Sequence, residues 1–146
     1  PLTALLALDS SVELHKAGKM PLEDFLRRPY ARDILTAITI KKDGRFASFQ
    51  GFRNAATDYS LLNAAASYLD GSWRIAVGAR PMAPQIVDGA SGAMSGGSVS
   101  PEEAGELAAG ELKFGSNFRA SAEYRRALCK TLVARAIREV MSCRSK

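Results

Sequence analysis

The sequence predicts an α+β fold, a small antiparallel sheet of three to four strands followed by helices packed on one of its faces. Three observations carry this prediction. Runs rich in β-branched and aromatic residues fill the first half, as in "DILTAITI" (33–40) and "FASFQGF" (46–52). Asp-Gly pairs at 43–44 and 70–71 lie between such runs, where tight hairpin turns are expected. From Ser100 onward, capping signals and an apolar period near four residues take over. Strands first and helices last define the layer arrangement.

Taken in order, "LTALLAL" reads as the end of a buried helix. It starts on Pro1 with neither a capping residue nor an initiator Met, so further sequence is expected upstream. "SVELHK" alternates Val12 and Leu14 with Glu13 and His15, a half-buried strand. "MPLEDFLRRPY" is a turn or short helix bounded by Pro21 and Pro29. In "DILTAITIKK", Ile34, Thr36, Ile38 and Ile40 share one face of a strand. Asp43-Gly44 is expected to turn that strand directly into "RFASFQGF", where Phe46, Ser48, Gln50 and Phe52 face one way and Ala47, Phe49 and Gly51 the other. At least one of the three phenylalanines is expected in the core. "YSLLNAAASYL" is ambiguous, since its alanines favour a helix, but the "DGSW" that follows and "WRIAVGA" beyond it point to a second hairpin.

The Gly-, Ala- and Ser-rich stretch from Asp88 to Ser98 reads as a flexible loop. "SPEE" then starts a helix, with Ser100 as N-cap, Pro101 at the first helical position and Glu103 closing a capping box. That helix is expected to run to about Lys113, and "FGSNF" separates it from the last one. There Tyr124, Leu128, Leu132, Ala136 and Val140, flanked by Val133 and Ile137, form a predicted buried stripe.

Composition bounds the function. The chain has 146 residues, 47% hydrophobic and 24% charged, enough for one well-packed domain. No apolar run approaches the roughly 20 residues needed to cross a bilayer, and the start lacks the basic segment of a signal peptide. A cytoplasmic chain that makes no membrane contact is expected. Cys129 and Cys143 lie on one predicted helix about 21 Å apart, beyond disulfide reach, and read as free thiols in a reducing compartment. With two Cys and the single His15, no metal site is written. The net charge is +5, and eight of the twenty basic residues lie between Arg119 and Lys146. Such a basic helix suits an acidic partner, a phosphate, or simply water.

The residues themselves define no catalytic group. "DGASGAMSGGSVS" lacks the spacing of a dinucleotide or P-loop cradle, and Glu102 and Glu103 already occupy the positive end of the next helix. His15 sits at an outward strand position with no nucleophile beside it in sequence. Glu23, Asp24 and Asp33 form no acid/base pair. The interleaving of Phe46, Phe49, Phe52 and Arg53 allows a single-strand nucleic-acid platform, but the two strand faces split the rings, and no nucleic-acid partner is expected.

The longest distinctive stretch, "FRASAEYRRALCKTLVARA" (118–136), resembles the C-terminal domain of FAD-binding subunits in the molybdenum hydroxylase family, which includes xanthine dehydrogenases and aerobic carbon monoxide dehydrogenases. That family reads approximately Asp-x-Arg-Ala-Ser-Ala-x-Tyr-Arg-Arg, and Asn117 stands here in place of the acidic residue. "LLALDSSVEL", "PLEDFL", "DILTAITI" and "FRNAATDYSLLNAAA" follow the family's order and approximate spacing, so the resemblance covers nearly the whole chain.

The resemblance implies the C-terminal half of such a subunit. Residues 1–42 would close the FAD-binding domain and connect to a flavoprotein C-terminal domain at 43–146. The partners implied are the missing N-terminal FAD-binding half with its pyrophosphate loops, a large subunit with the molybdenum cofactor, and a small subunit with [2Fe-2S] clusters. The flavin would pass electrons to NAD or another acceptor. Ile34 and Leu35 match the apolar wall beside the flavin, and Gln50 a polar contact where relatives commonly carry a lysine. Asn54-Ala55 replaces the usual Arg-Arg pair. A stand-alone docking domain without flavin is the alternative. On the last helix, Tyr124 is expected to pack under the sheet. Arg125 and Arg126 turn away from it by about 100° and 200°; one is expected to pin the sheet or a carboxylate, the other to face solvent or a subunit. Arg126 and Lys130 mark a candidate docking face.

Overall fold

A computed structural model describes residues 1–29 and 32–145, so Tyr30, at the end of "MPLEDFLRRPY", and Lys146 lie outside the described residues. The element order is α1 (Leu2–Ala7), β1 (Ser11–Leu14), β2 (Gly18–Pro21), α2 (Leu22–Arg27), β3 (Leu35–Thr39), β4 (Phe46–Phe52), β5 (Leu62–Leu69), β6 (Ser72–Gly78), β7 (Gln85–Ile86), α3 (Asp88–Ser95), α4 (Pro101–Glu111) and α5 (Ala122–Arg144). The strands form two antiparallel sheets, ordered β2-β1-β3 and β4-β5-β6-β7.

The four-stranded sheet is the centre of the molecule. Ala64, Ala66, Ile75 and Val77 point from β5 and β6 into one core with α3, α4 and α5, whereas Ala65, Ala76 and Ile86 meet Leu6, Ala7, Val12 and Leu22 on the other side. Burial on both faces explains the alanines of β5, which leave room for a helix layer above and α1 below. It also removes the alternation that marks a half-buried strand. Asp70 and Gly71, at φ 46° and 86°, make the β5–β6 hairpin with positive φ at both turn positions.

The Asp43-Gly44 hairpin does not form. β3 pairs only with β1 and β4 only with β5, so the two strands belong to different sheets. Asp43 instead holds Arg45, with its carboxylate accepting from the Arg45 guanidinium at 2.6 Å, and Arg45 donates onward to the carbonyl of Ala7 at 3.3 Å. The turn thus anchors the crossing between sheets.

The stretch from 88 to 98 is also not a loop, since Asp88–Ser95 is helix α3. Its small residues serve the adjacent sheet edge. Ser91 and Ser95 accept from the backbone N–H groups of Ile75 and Trp73 at 3.0 and 2.8 Å while donating back within the helix. The N-terminus of α3 is capped from a distance by Glu111, which accepts from the N–H groups of Asp88 and Gly89. No local N-cap is needed, which is why sequence gave no start signal.

α4 opens with the expected capping box of Ser100 and Glu103 and ends at Glu111. Gly105 allows α4 to close on α5, because a Cβ there would lie 2.4 Å from the carbonyl oxygen of Lys130. On α5, Leu132, Val133, Ala136, Ile137 and Val140 are buried as expected. Tyr124 is not: it is 46% exposed and meets Phe52 edge-on, and the buried residue beside it is Arg125 at 1% exposure. Phe46, Phe49 and Phe52 are likewise all exposed, so none joins the core. They lie on β4, an edge strand with a free side.

Candidate functional site

β3 carries Leu35, with Ile34 immediately before it. Its five residues are all exposed, an arrangement that leaves the strand without cover among the described residues. Antiparallel pairing sets Leu35 opposite Leu14 and Ile38 opposite Val12, and a bulge between Glu13 and Leu14 keeps both pairs on one side. Leu35 therefore faces α2. There it lines a cleft of about 630 Å³ together with Leu14, Ala17, Phe25, Leu26 and Asp33.

Asp33 fixes the entry to this strand. Its carboxylate accepts from the N–H groups of Lys16 (3.0 Å), Ala17 (3.0 Å) and Ile34 (2.8 Å). Desolvation works to raise its pKa, but the three backbone donors outweigh it and hold the carboxyl below the usual range. In the sequence Asp33 is one of three scattered carboxylates with Glu23 and Asp24. A short-range signal existed, since Asp two residues before a strand is suited to backbone bonding, but the partners at 16 and 17 were visible only in three dimensions.

Ile34 and Leu35 are adjacent and exposed at the rim of this cleft, with Ile34 outside its lining. Gln50 lies elsewhere. It projects from β4 toward α5, where its amide donates to Glu139, which also accepts from Ser48 at 2.6 Å. The neutral amide on β4 thus meets a carboxylate on α5. The structure brings Ile34 and Leu35 together and holds the Gln50 amide on the opposite side of its own strand from Phe49.

The cleft offers an apolar wall with Leu35 exposed on it. It has no cradle for a pyrophosphate among the described residues. The backbone donors that open α3 are bound by Glu111, and those of α4 by its own capping box. Nor do the described residues contain a group of three or more His, Cys, Asp or Glu side chains able to hold a metal. No helix among them is long and apolar enough to cross a membrane.

A core sheet packed against helices is thus joined to a small sheet whose edge strand β3 is exposed. Comparison gives the class. The family described as the CO dehydrogenase flavoprotein C-terminal domain matches residues 47–140, and the chain belongs to that family. The medium subunit of nicotine 6-hydroxylase from Paenarthrobacter nicotinovorans is 32% identical over 151 aligned residues, covering 92% of this chain and 53% of that subunit. Quinoline 2-oxidoreductase from Pseudomonas putida 86 has the same fold, with a TM-score of 0.80 at 22% identity over 97% of this chain and 55% of the other. The reconstituted CO dehydrogenase from Oligotropha carboxidovorans matches equally, with a TM-score of 0.80 at 19% identity over 97% of this chain and 56% of the other. The chain therefore spans about half the length of the relatives it matches.

Proposed function

We propose that this chain forms the C-terminal part of the FAD-binding subunit of a molybdenum, iron–sulfur and flavin hydroxylase, working in the cytoplasm as an oxidoreductase component. Residues 1–42 would complete the FAD-binding domain and residues 43–146 would form the C-terminal domain. Partner subunits would hold the molybdenum cofactor and the [2Fe-2S] clusters. When bound, FAD would supply the step that hands electrons to a final acceptor.

The observation that carries this reading is β3, an apolar strand left bare in a chain of a flavoprotein family. Exposed leucine and isoleucine in a row are explained when another body covers them. Ile34 and Leu35 would form the apolar wall at the ring edge, with Asp33 holding their backbone in place. Gln50 enters the same reading as a neutral contact whose amide would exchange Glu139 for the ligand. The reading as a stand-alone docking domain has no observation in its favour beyond the missing pyrophosphate cradle, which the other half of a longer subunit would supply.

The test is Leu35→Ala in the full-length subunit. At 46% exposure in this chain, the substitution should change the stability of the chain itself by no more than about 0.5 kcal/mol. It should nevertheless lower retention of FAD through purification. Unchanged flavin content would remove Leu35 from the site.

A further inference from the structure

Two buried arginines hold one exposed connection. Arg125, 1% exposed, donates from Nη1 to the carbonyls of Gly115 (2.6 Å) and Ala120 (2.7 Å), from Nη2 to Asn117 Oδ1 (2.7 Å), and from Nε to the carbonyl of Leu61 (2.9 Å). Arg80, 6% exposed, donates to the carbonyl of Lys113 at 2.7 Å, and its Nε has no partner among the described residues. Neither guanidinium forms an ion pair among those residues. Burying a cation without a carboxylate costs several kcal/mol before its hydrogen bonds offset it. An ordinary helix connection is made with turn residues alone. Here both cations instead fix the segment between α4 and α5, and Arg125 also fixes the end of the loop before β5.

The two fixed loops meet at an exposed tip. Phe118 is 90% exposed and Tyr59 76% exposed. Arg119 stands between them, its Cζ 4.9 Å from the Phe118 ring centre and 5.1 Å from that of Tyr59, with Asp58 at 3.5 Å. Exposed tyrosine, phenylalanine and arginine held rigid in advance are what the centre of a protein interface requires, because little entropy remains to be lost on binding. The charge selects the partner. Apart from the buried Arg125, segments 53–60 and 113–126 hold four basic residues against two acidic ones, which favours a carboxylate-bearing surface and opposes a second copy of the same basic tip.

We propose that the tip formed by Tyr59, Phe118 and Arg119 is a preformed docking site for an acidic surface on a partner subunit of the assembly. The inference rests on the function proposed above for the identity of that partner, and its site is distinct from the β3 cleft.

The test uses the full-length flavoprotein subunit produced together with its large and small partner subunits. Variants are Tyr59→Ser with Phe118→Ser, Arg119→Glu, and the control Leu107→Ser, an apolar residue 44% exposed on α4 and away from the tip. Association is measured by titration and by native mass spectrometry at low and high salt, with flavin content and melting temperature recorded for each. The expected result is association weakened roughly tenfold or more by the double variant and by Arg119→Glu. Flavin content and melting temperature should stay at wild-type values, and Leu107→Ser should assemble normally. Added salt should weaken the wild type more than Arg119→Glu. Normal assembly of both tip variants would overturn the proposal, as would a self-dimer of the subunit that the double variant abolishes. A wild-type subunit without flavin would instead count against the proposed function, since assembly is scored independently of flavin.

Discussion

Arg125 and Leu61, 64 residues apart in sequence, are joined by a 2.9 Å hydrogen bond from the guanidinium Nε to the backbone carbonyl. With its other bonds this makes one side chain the link between α5, the start of β5 and the connection after α4. Burial and the nearby Arg119 both push its pKa down, yet it faces only neutral acceptors among the residues it touches.

Removing the link should be severe. Arg125→Ala leaves the carbonyls of Leu61 and Gly115 without their donor, while that of Ala120 keeps the Asn117 N–H, and each buried unsatisfied group costs about 1–3 kcal/mol. A loss of about 3 kcal/mol or more is expected in urea unfolding. Arg125→Lys should recover only part, because an ammonium cannot reproduce the planar fork. Asn117→Asp should raise the melting temperature by giving the buried cation a carboxylate. A cost below about 1 kcal/mol for Arg125→Ala would show that water replaces the clasp.

The neighbouring tyrosine should matter less. Tyr124 is half exposed and touches Phe52 only at a ring edge, 6.4 Å between centres. Tyr124→Ala is expected to cost about 1 kcal/mol or less, against about 2–5 kcal/mol for Ile137→Ala in the core. Equal losses would contradict the burial assignment.

These two residues also show what the sequence could reveal. The periodicity of α5 correctly marked Leu132, Ala136, Ile137 and Val140 as core, because the stripe records packing directly. It put Tyr124 on that stripe because its ring is apolar, and left open which of Arg125 and Arg126 turns inward. The deciding fact was a set of unpaired carbonyls in two distant loops, which no local pattern encodes. The same holds for α3. Its cap comes from Glu111 and its serines answer donors on β6, so small residues chosen for contact looked like a flexible loop. Asp43-Gly44 misled for a related reason, since the dipeptide that closes a hairpin also serves an ion-paired crossing between sheets. At the candidate site, the family resemblance names Ile34 and Leu35, and the fold sets them side by side and exposed at the entry to β3. The Gln50–Glu139 contact spans 89 residues and has no such signal in the sequence.

The two cysteines should behave oppositely. Burial pushes the Cys129 thiol up to about 12, whereas Cys143 is exposed. Because the reactive species is the thiolate, a thiol reagent at pH 8 should modify one cysteine per native chain and two after unfolding. Rapid modification of both in the native state would contradict the packing of α4 on α5.

Acid sensitivity should map in part to the crossing between the sheets. Hydrogen bonding from Arg45 is the main cause that lowers Asp43 from 3.8 to about 2. A depressed folded pKa contributes stability above the unfolded value, and that contribution is lost as the pH falls from 3.8 toward 2. Asp43→Asn should therefore flatten the stability profile over that window and leave its shape near neutrality unchanged. The check is chemical denaturation at a series of pH values, and a profile with the wild-type slope in acid would assign the loss to other carboxylates.

FAD binding should differ sharply between the 146-residue chain and a longer subunit that joins it to an N-terminal FAD-binding half. The longer subunit should keep its flavin through purification. The chain alone should show a Kd weaker than about 1 μM by fluorescence titration, since the N-termini of its longer helices α3, α4 and α5 are already capped and it offers the ring edge only an apolar wall. Tight binding by the chain alone, or a longer subunit that holds no flavin, would contradict the proposed function.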